Sequence, residues 1–153
     1  MTIWLGSFNK AGCPTLKISV SGPFTDSLPF DAILDTGFTG FLSMPLIQAI
    51  RLGLVLHGTT RVVLADNSEA YKLTARGQVT VQGISKIGVV ILEPQGGDLL
   101  LGVAFLRQFG RTLLVSQSGV ALADEQELAK AVKTPQELPE PSLSAGGGQL
   151  QSR

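Results

Sequence analysis

The sequence predicts an all-β domain, a closed barrel or sandwich of short strands interrupted by one or two short helices. Three observations carry this reading. Segments rich in Val, Ile, Leu and Thr recur from Met1 to about Leu122. They follow one another closely, as strands must if each is to pair with its neighbours. Gly, Pro, Asn and Asp punctuate them, and 18 glycines in 153 residues suit a chain that turns often.

In chain order, strands are expected at Ile3–Phe8, Thr15–Val20 and Phe30–Leu34, the last running directly into Asp35. A helix should follow, with Ser43 as its N-cap and Pro45 near the first turn. It carries Leu46, Ile47 and Ile50 and should stop at Gly53. Thr60–Leu64 and Ala70–Thr74 flank Ala65-Asp66-Asn67-Ser68, which reads as a hairpin with turn-forming residues at its tip. Further strands are expected at Gln78–Val81, Ile87–Leu92 and Asp98–Leu101. A second helix follows Gly102 through Val103, Phe105, Leu106 and Phe109 and ends at Gly110. Thr112–Val115 and Gly119–Leu122 complete the strands. Both helices follow an apolar strand and a glycine, a similarity between two halves of one domain.

The domain therefore spans residues 1–122. Residues 123–133 read as a short C-terminal helix. Asp124 can cap it, Glu127 completes a capping box, and Leu128, Ala129 and Val132 form a thin apolar edge. Residues 134–153 carry Pro135, Pro139, Pro141, Ser144 and the run Gly146-Gly147-Gly148. That stretch has too little apolar area to offset its ordering entropy, so a flexible Pro/Gly-rich tail is expected.

Composition narrows the function. Formal net charge is zero and the basic residues are scattered, which argues against nucleic acid as a partner. Cys13 is the only cysteine, so no internal disulfide can form. With His57 as the only histidine, no Cys/His cluster offers metal-ligand spacing, and no metal or cofactor is expected. There is no Gly-rich phosphate loop with its lysine and no Gly-x-Ser-x-Gly elbow. No apolar run is long enough to cross a bilayer and no secretory leader is visible, so a cytoplasmic protein without a membrane partner is expected.

The informative stretch is Ala32-Ile33-Leu34-Asp35-Thr36-Gly37-Phe38-Thr39-Gly40-Phe41-Leu42. An apolar strand ends on a carboxylate, and burying a lone carboxylate is costly unless it is hydrogen-bonded. Thr36 supplies a hydroxyl and Gly37 permits an unusual backbone path. Alone, Asp-Thr-Gly is compatible with an ordinary turn. Its context is more specific, because Leu99-Leu100-Leu101-Gly102 lies downstream and leads into a helix.

Together these residues resemble the retropepsin-like aspartic proteases, in which an apolar-apolar-Asp-Thr-Gly signature is followed by a flap hairpin and an apolar-apolar-Gly segment entering a helix. The likeness covers roughly Ile3 to Leu122. Phe38 resembles the variant of bacterial and archaeal single-domain members. The resemblance implies an endopeptidase with Asp35 as catalytic aspartate and Thr36 bonded to its counterpart across a dimer axis. Gly37 would turn its carbonyl to a bound peptide. Thr39 and the hairpin tip, Ala65, Asp66 and Asn67, would contact substrate. Phe38, Phe41, Val63 and Ile91 could line apolar subsites, and Tyr71 reads as a half-buried strand aromatic or a cleft residue.

Peptide hydrolysis by carboxylates needs two of them close together, one as base and one as acid. Asp-Thr-Gly occurs once, and Asp31, Asp66, Asp98 and Asp124 lack the following Thr-Gly. A symmetric homodimer supplies the second copy. The alternative is a catalytically silent dimeric module of the same fold that binds peptides or partner proteins, and a third reading is an unrelated barrel with a structural Asp turn.

Overall fold

The computed structural model of the protein describes residues 3–133. Its strands are β1 (Ile3–Leu5), β2 (Ser7–Phe8), β3 (Pro14–Ser21), β4 (Leu28–Leu34), β5 (Leu42–Pro45), β6 (Val55–Val63), β7 (Glu69–Val81), β8 (Ile84–Glu93), β9 (Leu100–Leu101), β10 (Arg111–Ser116) and β11 (Gly119–Asp124). The helices are α1 (Leu46–Arg51), α2 (Val103–Phe109) and α3 (Glu125–Lys133).

Six strands close on themselves in the order β3-β4-β9-β5-β8-β7, with Ser19–Ser21 of β3 paired to Gln78–Thr80 of β7 as the seam. Closure removes most free strand edges. Two pairings within this mostly antiparallel ring are parallel, β4 with β9 and β5 with β8. The strand β2 adds to β3, β6 adds to β7, and β1-β11-β10 form a separate antiparallel sheet. Alternate residues point inward, so Leu16, Ile18 and Val20 share the core with Ala32 and Leu34, Val79 and Val81, and Val90 and Leu92.

The expected all-β architecture with short helices is therefore present, and its departures have physical causes. The first strand divides at Gly6, whose N–H donates to the Val120 carbonyl at 2.9 Å while the chain crosses from one sheet to the other. Ser43 does not cap α1. It is buried in β5 between β8 and β9, and α1 starts after Pro45 with no side-chain cap. The two strands expected around residues 70–81 are one thirteen-residue strand, β7. The strand β6 begins at Val55, earlier than expected, and β9 keeps only Leu100 and Leu101. The end of α2 is as predicted, with Gly110 in the left-handed conformation that closes helices.

At the C-terminal side β11 runs to Asp124, and α3 follows directly. The Asp124 carboxylate accepts from the N–H groups of Gln126 (2.9 Å) and Glu127 (3.2 Å), as an N-cap should. Asp124→Ala is expected to cost about 1 kcal/mol of helix stability. Hydrogen exchange should show it as faster exchange confined to α3. The expected tail, residues 134–153, lies outside the described residues. Among the described residues no helix is long and apolar enough to cross a membrane.

Candidate active site

Asp35 stands one residue beyond β4, where the core strand runs out of apolar sequence. Two backbone bonds hold this exit against β9: the Ile33 N–H donates to the Leu99 carbonyl at 2.8 Å and the Asp35 N–H to the Leu101 carbonyl at 2.9 Å. The loop then turns back on itself. The Gly37 N–H donates to Asp35 Oδ1 at 2.9 Å, and the Phe38 N–H to the Asp35 carbonyl at 3.1 Å.

The rest of the loop is fastened to the start of α2. The Val103 N–H donates to the Phe38 carbonyl at 2.9 Å, and the Ala104 N–H is shared between the carbonyls of Thr39 and Gly40 at 3.2 and 3.1 Å. These amides would otherwise lack partners in the first turn of a helix. The approach is close because residue 102 is glycine. A Cβ there would overlap the carbonyl oxygens of Phe38 and Gly40. Beneath the loop, Phe41 lies 6.0 Å from Phe105 and 6.5 Å from Phe109, and Phe109 meets Trp4 edge-on at 5.5 Å. The Arg111 guanidinium lies over the Trp4 ring, 3.9 Å from its centroid. A rigid aromatic floor thus supports a loop that is itself half-exposed.

Asp35 is half-buried and Thr36 exposed. One carboxylate oxygen is committed to the Gly37 N–H, and among the described residues neither the other oxygen nor the Thr36 hydroxyl has a hydrogen-bond partner. The arrangement orients the carboxylate while leaving half of it available.

Beside the loop lies a groove of about 630 Å³. Gly37–Phe41 form one wall, Thr60–Val63 of β6 the other, and Val89 and Ile91 of β8 line it as well. Of the residues singled out in the sequence, Gly37 and Thr39 line this groove, together with Phe38, Phe41, Val63 and Ile91. Ala65, Asp66 and Asn67 do not line it. They form the tip of the β6–β7 hairpin, closed by the Leu64 N–H donating to the Ser68 carbonyl and the Asn67 N–H to the Leu64 carbonyl. Asn67 takes a left-handed conformation (φ 67°), which asparagine tolerates. The Ser68 hydroxyl and then its N–H, both donating to Asp66, hold that carboxyl below the usual carboxylate range.

Tyr71 is neither half-buried nor in the groove. It is 73% exposed and borders a separate hollow with Leu46 and Leu92. Sequence reasoning missed Thr60, Arg61, Val62 and Val89. For Val89 a signal existed, because it alternates with Ile87 and Ile91 along one side of β8. An ion pair stands at the hairpin base, where Lys72 reaches Glu93 at 2.6 Å just beyond the end of the β7–β8 pairing.

No protein-family model and no curated protein sequence matches the chain. Solved structures do. The chain is similar to EIAV protease complexed with an inhibitor, at a TM-score of 0.56 and 15% identity over 71% of this chain and 99% of that one. It is also similar to a retropepsin-like aspartic protease from Rickettsia conorii, at a TM-score of 0.55 and 16% identity over 79% of this chain and 89% of that one. The chain has the retropepsin-like fold.

Proposed function

We propose that this chain is one half of an aspartic endopeptidase whose catalytic pair is Asp35 and the same residue of a second, symmetry-related copy. The observation that carries the reading is the state of that carboxylate. It sits on a pinned loop at a strand end, one oxygen fixed by its own loop and the other unpartnered among the described residues, beside a groove bordered by a hairpin. The two structural neighbours, one described as a protease bound to an inhibitor and the other as a retropepsin-like aspartic protease, support it.

In the proposed dimer two such loops meet at a two-fold axis. Carboxylates so close cannot both be charged without strong repulsion, so one proton is held between them. The charged member takes a proton from a water molecule, which attacks the peptide carbonyl carbon, while the protonated member donates to the carbonyl oxygen. A tetrahedral diol results. Proton transfer to the nitrogen then releases amine and acid. The Thr36 hydroxyls, exposed and without a partner among the described residues, would bond the opposite loop. Gly37 and Thr39 would meet the substrate backbone, and Ala65, Asp66 and Asn67 would reach it only when the hairpin closes.

The shared site makes activity depend on assembly. At dilutions below the dimer dissociation constant, rate should fall as about the square of chain concentration. Peptide cleavage measured alongside sedimentation would check this. A rate proportional to chain at every dilution would exclude the shared site. Peptide binding without cleavage at any pH would instead favour the silent binding module.

A further inference from the structure

A second hollow, of about 300 Å³, lies among Ser21, Gly22, Pro23, Val55, Arg76, Gln78 and Ile87. It lies further along the same side of β8 as the groove beside Asp35. Ile91 and Val89 line the groove, and Ile87, two residues further along the same side, lines the hollow. The cross-strand pair Arg76 and Val89 joins the two, since Val89 belongs to the groove and Arg76 to the hollow. The track is open to a ligand. Ile87 is 57% exposed and Val55 53%.

We infer that this track is an extended substrate-recognition surface, with the second hollow accepting a bulky apolar side chain of the same peptide that fills the groove. The inference rests on the endopeptidase reading for its occupant. The spacing follows from strand geometry. From Ile91 to Ile87 is four residues, about 13 Å in an extended chain. A peptide's residues four apart project to the same side, so one side chain enters the groove while the other enters the hollow. Charge adds a second requirement. Arg76 is exposed and forms no ion pair among the described residues, so it favours a carboxylate next to the second apolar residue. Preferred substrates are extended peptides with bulky apolar residues four positions apart, the outer one flanked by Asp or Glu.

The test uses binding, so that it does not depend on turnover. Fluorescence anisotropy on the Asp35→Asn chain compares three peptides: a short one filling only the groove, a long one with apolar residue and Asp, and the long one with Lys for Asp. The long acidic peptide is expected to bind about tenfold tighter than the short one, through one further buried side chain. Exchanging Asp for Lys should weaken binding about two- to fivefold, and Arg76→Glu should reverse that order. Ile87→Asp should remove the advantage of length. Equal affinity for long and short peptides, or an unchanged Asp/Lys order in Arg76→Glu, would overturn the track. If the parent chain still cuts the short peptide, the endopeptidase reading survives that loss. Length-dependent binding by a parent that cuts nothing would keep the track and remove the endopeptidase.

Discussion

Replacing Asp35 by asparagine is expected to lower peptide cleavage at least about a thousandfold while leaving fold and dimer intact. The amide has the shape of the carboxyl and keeps an oxygen to accept the Gly37 N–H, so the loop retains its turn. What it loses is the ability to take a proton from water. Circular dichroism and sedimentation should match the parent, and only cleavage of a mixed peptide library should disappear. Mixing sharpens the result. If the site is shared, a ninefold excess of the variant should draw the parent into inactive mixed dimers and reduce its activity to about one tenth. An enzyme complete in one chain would ignore the excess.

Gly102→Ala is expected to be the most damaging small substitution near the site, costing about 3 kcal/mol. The added methyl meets the carbonyl oxygens of Phe38 and Gly40 and the ring of Phe38. Carbonyls cannot rotate aside as a side chain can, and these two accept the first amide bonds of α2. Relief requires the loop to lift away from the helix, carrying Asp35 with it. The melting temperature should fall by roughly 10 °C. Cleavage by the surviving folded protein should fall further than its population does. A variant that melts with the parent would show that the loop is not held in the way its hydrogen bonds indicate.

The Asp35 loop, α2 with its closing glycine, and the β10–β11 pair were legible in the sequence because each is written in consecutive residues. Failures came where distant parts of the chain decide. Leu42–Pro45 has the look of a helix start, with Ser43 two places before Pro45. Its state is set by Val90–Glu93 on one side and Leu100–Leu101 on the other, and burial turns Ser43 into a strand residue. Gly77 looks like a break in β7, yet it pairs with Gly88 and packs against Val90, so the strand runs on. The same limit applies to the groove. Phe38, Phe41, Val63 and Ile91 were visible as apolar candidates, but only the folding of β6 over the loop brings Thr60–Val63 opposite Gly37–Phe41. The hairpin tip drew attention through its turn residues, whereas the wall of the groove is made by the strand leading to it.

The unbroken length of β7 has a mechanical meaning. From the hairpin at Glu69 to the barrel seam at Gln78–Thr80 the strand spans about 30–36 Å. Its first five residues pair only with β6, and from Thr74 onward it also pairs with β8. The hairpin end is therefore an overhang beyond the barrel, with the Lys72–Glu93 bridge beside the point where pairing to β8 begins. In the proposed enzyme, a peptide under the hairpin would press on backbone that runs unbroken into the barrel wall.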